Sequence, residues 1–291
     1  MFEFNESLEQ ARRRNVENAL TEDIGTQDWT AQLIPSNQRV IAQVVVKQAN
    51  AILCGQEWFN DCIKFLDPSA NINWLYRDGD EMLSQSPICE INANARALLS
   101  AERPALNFLQ LLSWTATTTS HHVHAIADIH ANPKGCSILD TRKTIPGLRQ
   151  AQKYAVRVGG GKNQRIALWD GILIKENHIV AAGSISAALK SAQELHSSVE
   201  IQIEVESISE LKEAIAAGAK SILIDDFTLD EMKLAVEIAQ FEVLLEVSGG
   251  VELNQLRAIA MTGVDRISIG KLTKDVLAID YSMRVLQRIE L

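Results

Sequence analysis

The chain has 291 residues, 46% of them hydrophobic, and a formal net charge of −9, a composition typical of a globular protein. This length predicts one large α/β barrel or two domains. No apolar stretch approaches the roughly 20 residues of a membrane span, and the N-terminus lacks an apolar signal core. The negative net charge disfavours binding to nucleic acid. We therefore expect a cytoplasmic protein bound to neither membrane nor nucleic acid.

The first part of the chain predicts a small sheet with helices. Residues 7–20 have an amphipathic pattern and predict a helix that Gly25 can end. Residues 100–129 predict a long helix with Pro104 close to its start, where a missing N–H is tolerated. Between these helices, β-rich runs predict strands at residues 40–46, 51–54, 72–75 and 86–91.

The second part of the chain repeats a strand followed by a helix. Apolar runs predict strands at residues 137–139, 172–174, 201–205, 222–224, 243–247 and 267–269. Helical patterns lie between them at residues 185–195, 208–217, 229–239 and 253–262. Such units indicate a parallel sheet covered by helices, and their number favours a closed barrel over an open sheet.

A cationic block stands out within this acidic chain. Residues 142–175 contain eight basic residues and one acidic residue, a net charge of +7. A small, highly anionic ligand held by arginine forks and lysine charges is the simplest reason for such a block.

Polar residues follow the predicted strands, and in an α/β barrel the carboxyl ends of the strands form the active site. Arg142 and Arg165 can bind carboxylates through two hydrogen bonds each. Lys143 and Lys175 suit a pyrophosphate group.

The remaining strand ends suit a phosphorylated sugar. Glu204 and Asp225 could bind ribose hydroxyls or Mg²⁺, which prefers oxygen ligands. The glycine-rich turns carrying Ser248, Gly249 and Gly270 could bind a terminal phosphate through backbone N–H groups.

Two other metal-site hypotheses are weaker. Cys54, Cys62, Cys89 and Cys136 are scattered, which favours buried small side chains in a reducing compartment over a zinc site. The histidines at positions 121, 122 and 124 do not share one face of a helix, which favours a polar helix surface.

Several motifs together resemble the quinolinate phosphoribosyltransferase family. They span nearly the whole chain and comprise residues 22–25, 101–107, 140–147, 159–163, 173–178, 203–206, 245–250 and 263–270. The resemblance implies the type II phosphoribosyltransferase fold, an N-terminal α/β sandwich-like domain plus an open α/β barrel. We place these domains at residues 1–114 and 115–274, with residues 275–291 packing back on the first.

The resemblance also implies an activity of NAD biosynthesis. Members transfer phosphoribosyl from phosphoribosyl pyrophosphate to quinolinate with Mg²⁺, releasing pyrophosphate and carbon dioxide and giving nicotinate mononucleotide. Arg103 would bind quinolinate carboxylates with Arg142 and Arg165, and it would reach in from the partner subunit. The resemblance therefore implies a homodimer, or a higher even homo-oligomer, with shared active sites.

The other roles carried over by motif agree with the strand-end chemistry. Lys143 and Lys175 would lie beside quinolinate and the pyrophosphate, Glu204 and Asp225 would meet the ribose and the metal, and Ser248, Gly249 and Gly270 would bind phosphate.

The chain departs from the family pattern at five positions. Gln164 stands where a substrate-contacting histidine is usual, Ala167 and Trp114 where glycine is expected, Pro104 where threonine is expected and Lys271 where alanine is expected. Two alternatives follow. One is a related enzyme for another pyridine carboxylate, such as nicotinate. The other is a weakly active or non-catalytic paralogue because of Gln164.

Overall fold

The computed structural model describes residues 5–289, which form two compact units. Unit 1 takes in residues 5–120, 144–160 and 273–289, and unit 2 takes in residues 121–143 and 161–272. Within the described range, no helix is both long enough and apolar enough to cross a membrane.

Helices and strands alternate along most of the chain. The helices are α1 Leu8–Ile24, α2 Gln56–Leu66, α3 Ala95–His124, α4 Arg149–Val158, α5 Glu176–Ala182, α6 Ile185–Glu194, α7 Ile208–Ala216, α8 Leu229–Ala239, α9 Leu256–Ala260 and α10 Lys271–Lys274. The strands are β1 Arg39–Val46, β2 Ala51–Ile52, β3 Asn71–Trp74, β4 Glu81–Met82, β5 Ser86–Asn94, β6 Ser137–Leu139, β7 Gly171–Ile174, β8 Glu200–Val205, β9 Ser221–Asp225, β10 Leu244–Ser248, β11 Arg266–Ser268 and β12 Tyr281–Ile289. Single 3₁₀ turns lie at Ala31–Leu33 and Leu253–Gln255.

Unit 1 is built on an antiparallel sheet with the strand order β12-β1-β5-β3. Alternate residues of β1 are buried, which is the pattern of a strand with one face on a core. Helix α2 contributes Trp58, Phe59, Cys62 and Ile63 to the same apolar cluster. Of the four free cysteines, Cys54, Cys62 and Cys89 are buried, as the scattered spacing predicted.

Helix α3 begins earlier than predicted, and this changes the meaning of its proline. The Asn94 side-chain oxygen accepts from the Ala97 N–H at 3.2 Å, which supports a helix start at Ala95. Pro104 therefore lies inside the helix and not near its first turn. An interior proline removes one backbone hydrogen bond and crowds the preceding turn.

Unit 2 contains a parallel sheet with the strand order β6-β11-β10-β9-β8-β7, connected through helices α5 to α9. Strands β6 and β7 lie at opposite ends of this order. The barrel is therefore open, as the resemblance implied, and not closed, as the number of strand–helix units had favoured. An isolated bridge joins Leu139 of β6 to Lys162, so an irregular segment, and not β7, lies beside β6.

The bounds of the two compact units differ from those of the predicted domains. The domain bounds remain a prediction. Residues 144–160, which we placed in the barrel domain, belong to unit 1 because Ala151 and Ala155 of α4 are part of its apolar cluster. The C-terminal strand β12 also belongs to unit 1, where it pairs with β1.

Candidate active site

The strands of unit 2 alternate between apolar and more polar residues. On β8, Ile201, Ile203 and Val205 alternate with Glu200, Gln202 and Glu204. Successive side chains of a strand point to opposite faces, so each strand has one largely aliphatic face. Strand β10 repeats this pattern with Glu246 between Leu245 and Val247, whereas on β9 the partner of Glu204 is the apolar Leu223. The barrel therefore has an aliphatic face for its helices and a more polar inner face.

The carboxyl ends of these strands bring the predicted charges together at one edge, which we call the mouth. Its members lie within two residues of the carboxyl ends of β7, β8, β9, β10 and β11: Lys175, Glu204, Asp225, Ser248 and Gly270. Parallel strands end at the same edge of a sheet, and the register confirms this for Ser248 and Asp225, which are direct partners.

An ion pair joins two residues of the mouth. Lys175 Nζ lies 2.5 Å from Glu204 Oε2, and the glutamate side chain is largely buried while the lysine is half exposed. Lys175 also caps the start of helix α5, where its backbone N–H donates to His178 Nδ1 at 3.0 Å. Its charge is thus held at the strand end by a fixed backbone.

Asp225 lies in a crowded electrostatic environment. Burial raises its pKa, and the negative charges of Glu204 and Asp226 raise it further, while Lys175 and Lys143 lower it. These mutual effects place Lys143 with the mouth, although it follows β6 and not one of the five strands of the mouth.

Two glycines allow this crowding. A Cβ atom on Gly249 would lie 2.7 Å from Asp226 Oδ1, and the φ angle of +99° also disfavours any other residue. A Cβ atom on Gly270 would lie 2.9 Å from Lys143 Cδ. The backbone of both turns therefore lies directly against charged side chains of the mouth.

Arg142 and Arg165, the arginine pair, form a second cationic group in unit 2. Burial lowers the pKa of Arg165, and the positive charge of Arg142 lowers it further. Arg165 Nη1 donates to the Gly171 carbonyl at 2.9 Å, whereas its Nε is buried and has no hydrogen-bond partner in the described part of the chain. A partly buried guanidinium with an unbonded Nε, beside a second guanidinium, favours an anionic ligand.

The segment before Arg165 is held by a buried carboxylate. Asp140, which is fully buried, accepts from Asn163 Nδ2 at 2.5 Å and from the Gln164 backbone N–H at 3.0 Å. The loop that follows is closed by Asp170, which accepts from the Ile166 N–H at 2.7 Å. Strand β6 thus positions both Gln164 and Arg165 through Asp140.

A cavity of about 310 Å³ lies beside Gln164 and Arg165. Its lining also includes Gln202, Glu246 and Arg266, which the sequence analysis did not select. The sequence did contain a signal for these three residues, because each is a polar residue next to aliphatic residues on its strand.

All the predicted site residues except Arg103 lie in unit 2. Arg103 is exposed on helix α3 of unit 1, beside Glu102. It lines a separate cavity of about 370 Å³ with Arg14, Glu22 and Asp23.

Two of the departures from the family pattern have clear partners. Lys271 Nζ pairs with Glu252, from the turn after β10. The Trp114 indole N–H donates to the Asp275 carbonyl at 3.0 Å.

The carboxylates of the mouth are suitable for Mg²⁺, although they do not form a complete metal site. Glu204 and Asp225 supply the oxygen donors that Mg²⁺ prefers. In the described range, no group of three or more His, Cys, Asp or Glu residues could hold a metal. The three histidines at the end of α3 therefore do not form such a group. A metal completed by ligand phosphates fits two carboxylates of this kind.

Comparisons with known proteins agree with this geometry. The protein-family model described as "Quinolinate phosphoribosyl transferase, C-terminal domain" matches residues 115–284 of the sequence. The family model of the corresponding N-terminal domain matches residues 26–113. A Bacillus subtilis protein named probable nicotinate-nucleotide pyrophosphorylase [carboxylating] is 42% identical over 265 residues, covering 91% of this chain and 90% of that protein.

Two solved structures extend the similarity to the fold. The nicotinate-nucleotide pyrophosphorylase from Francisella tularensis has a TM-score of 0.90 and 45% identity, covering 97% of this chain and 98% of that one. NadC from Streptococcus pyogenes has a TM-score of 0.90 and 32% identity, covering 99% and 100%. With both family models matched in sequence order, this chain belongs to the quinolinate phosphoribosyltransferase family.

Proposed function

We propose that the chain transfers the phosphoribosyl group of phosphoribosyl pyrophosphate to quinolinate and releases pyrophosphate and carbon dioxide. The product is nicotinate mononucleotide, and the enzyme is a pentosyltransferase of NAD biosynthesis. The observation that carries this proposal is the arginine pair, which lies in the same unit as a mouth of lysines and carboxylates.

The arginine pair suits a ligand with two carboxylates. Two guanidinium groups close enough to lower the pKa of Arg165 repel each other until an anion lies between them. A guanidinium binds a carboxylate through two parallel hydrogen bonds, which also fixes its orientation. Quinolinate offers one carboxylate for each arginine, whereas nicotinate has only one for both. Bound in this way, the pyridine nitrogen would face the anomeric carbon of the sugar.

The mouth suits the sugar and its leaving group. When the pyridine nitrogen bonds to the anomeric carbon, the bond to pyrophosphate breaks and negative charge builds on the leaving oxygen. Lys143 and Lys175 would stabilise that charge. Positive charge develops on the ribose ring at the same time, and Glu204 and Asp225 would stabilise it. Ser248, Gly249 and Gly270 would bind the terminal phosphate through the turns that approach the mouth.

Lys175 has to change partners when pyrophosphate binds. Its pairing with Glu204 holds both side chains in place before the substrate arrives. Phosphate oxygens would compete for the lysine and release Glu204 toward the ribose or Mg²⁺. The second reaction, decarboxylation, then breaks the bond between the ring carbon and its carboxylate, and that carbon takes up a proton.

We also propose that Glu204 and Asp225 hold Mg²⁺ together with substrate phosphates. The metal would neutralise charge on the pyrophosphate leaving group. The oxygen donor set of the mouth supports this assignment.

The working unit, in this proposal, is a homodimer or a higher even homo-oligomer in which Arg103 of one subunit completes the site of its partner. The support is the family resemblance together with the exposure of Arg103 on α3. We place the enzyme in the cytoplasm, in agreement with its four free cysteines.

Product analysis tests this function directly. The protein is incubated with phosphoribosyl pyrophosphate, Mg²⁺ and either quinolinate or nicotinate, and nicotinate mononucleotide, pyrophosphate and carbon dioxide are measured. Equal amounts of all three from quinolinate are expected. Product from nicotinate alone would support the related pyridine-carboxylate enzyme, and no product from either would support the non-catalytic paralogue.

A further inference from the structure

A hydrogen-bonded chain of side chains runs across the inner face of the barrel, one step below the mouth. Gln164 Nε2 donates to Gln202 Oε1 at 3.2 Å, and Gln202 Nε2 donates to Glu246 Oε2 at 2.9 Å. Gln202 and Glu246 are only 5% and 1% exposed. Gln202 lies two residues before Glu204 on β8, so its side chain points to the same face as a residue of the mouth.

The hydrogen-bonded chain of side chains has a defined direction because its inner end, Glu246, is a carboxyl group. Burial raises the pKa of Glu246, while the hydrogen bond from Gln202 and the charge of Arg266 favour its ionised form. An ionised carboxylate only accepts hydrogen bonds, and Gln202 accordingly turns its nitrogen toward Glu246 and its oxygen toward Gln164. That oxygen in turn requires the nitrogen of the Gln164 amide. Reversing either amide would leave buried polar atoms facing like atoms, which is costly away from water.

Glu246 is itself fixed by its neighbours. Arg266 Nη1 lies 4.0 Å from Glu246 Oε2 and pairs with Glu200 at 2.9 Å. Strands β10 and β11 hold Glu246 and Arg266 as direct partners in the sheet. The inner end of the chain is therefore anchored to the sheet by a cation as well as by its burial.

The outer end of the chain reaches the candidate substrate cavity. Gln164, Gln202 and Glu246 all line the cavity of about 310 Å³ that Arg165 also lines. Gln164 directly precedes Arg165, and Asp140 holds its backbone. The hydrogen bond to Gln202 therefore fixes where the nitrogen and the oxygen of the Gln164 amide lie in the wall of this cavity.

We propose that Gln202 and Glu246 are positioning residues that fix the Gln164 amide for binding of the dicarboxylate substrate. This inference rests on the proposed function. Without these two hydrogen bonds, the Gln164 amide can rotate and place its oxygen where its nitrogen now lies, and an oxygen there would repel a carboxylate. The expected loss is about tenfold in affinity for quinolinate, the effect of one hydrogen bond. Phosphoribosyl pyrophosphate binding, which we assign to the mouth, should be unaffected.

Calorimetric titration of the full chain tests this proposal. Gln202→Met keeps the side-chain volume but removes the amide, and Ser221→Ala changes another buried polar residue of the inner face as the matched control. We expect Gln202→Met to weaken quinolinate binding about tenfold. Phosphoribosyl pyrophosphate affinity should stay unchanged, and Ser221→Ala should alter neither ligand.

A double-variant cycle separates positioning from general damage. In a Gln164→Ala background, Gln202→Met should have no further effect on quinolinate affinity. Glu246→Met, which removes both carboxyl oxygens and so the acceptor for Gln202, should behave in the same way and covers the case in which Gln202→Met folds poorly. Full losses in the Gln164→Ala background, or equal losses for both ligands, would overturn the positioning role. If the unchanged protein does not bind quinolinate at all, the proposed function fails as well.

Discussion

The mouth of the barrel and the layer beneath it use the same strands in different ways. At the mouth, Asp225 lies among carboxylates that raise its pKa and lysines that lower it, and the lysine of the Lys175–Glu204 pair is half exposed. One step below, Gln202 and Glu246 are buried and hydrogen-bonded to each other. The mouth therefore concentrates charges that a ligand can satisfy, whereas the lower layer is held mainly by internal bonds.

This difference separates the residues that bind from the residues that position. Crowded like charges destabilise a folded chain, and they persist where a ligand or reaction requires them. Buried hydrogen-bonded groups instead restrict the geometry of their neighbours. Substitutions at the mouth should mainly change activity, while substitutions in the layer below should act through Gln164.

The largest effect is expected for Lys175→Ala at the mouth. Loss of this cation removes stabilisation of the leaving pyrophosphate, and activity should fall by roughly a hundredfold or more. Steady-state kinetics with phosphoribosyl pyrophosphate as the varied substrate measure it. Lys190→Ala, which removes an exposed lysine of α6, is the matched control. A loss no greater than that of the control would place Lys175 outside the reaction.

Mixing two inactive variants tests whether the substrate site is completed by a second subunit. Arg103→Ala and Lys143→Ala should each be nearly inactive, whereas refolding them together should restore about a quarter of the activity. Half of the dimers are then hybrids, and each hybrid has one intact site. If the subunits exchange and the mixture stays inactive, Arg103 does not act across a dimer.

Asp225→Asn should lower activity while making the fold more stable. Burial and like charges raise the pKa of Asp225 in the folded state, so the folded chain binds more protons than the unfolded chain. Stability must then decrease as pH rises above the ordinary range of a carboxyl group. The asparagine variant should avoid this loss and melt roughly 1–3 °C higher at neutral pH.

The same gain in melting temperature should shrink as the pH falls toward 3.8, the ordinary pKa of an aspartate. Asp230→Asn, which changes an exposed aspartate of α8, should leave the melting temperature unchanged. A lower melting temperature for Asp225→Asn at neutral pH would mean that its ionised form stabilises the fold.

The smallest effect is expected for Lys271→Ala. Both members of the Lys271–Glu252 pair are about half exposed, and such pairs contribute roughly 0–1 kcal/mol. Thermal unfolding should therefore change by no more than about 3 °C, and quinolinate affinity should not change. A strong loss of quinolinate binding would assign Lys271 to the substrate site.

Much of unit 2 was predictable because its signal is local. Apolar runs identified its strands to within one or two residues, and helix α8 was predicted with its observed bounds. Helix α4 was missed because its buried residues include the polar Gln152 and Lys153, so that no apolar stripe stands out within the cationic block. Strand β12 was missed because it pairs with β1, far away in the sequence.

The polar residues of the inner face were not selected from the sequence, for a physical reason. Parallel strands are usually buried on both faces and read as continuous apolar runs. Here the interior accepts polar residues that bond to one another, so Gln202 and Glu246 interrupt those runs. Such partners become visible only when the strands are placed side by side.

The central claim is that the arginine pair binds the dicarboxylate and the mouth binds the phosphorylated sugar. Titration calorimetry of Arg165→Ala with each ligand tests it most directly. Loss of a desolvated charge partner amounts to about 2–5 kcal/mol, so quinolinate should bind at least about thirtyfold more weakly. Phosphoribosyl pyrophosphate affinity should change less than about twofold. Equal weakening of both ligands, or unchanged quinolinate binding, would contradict this division of the site.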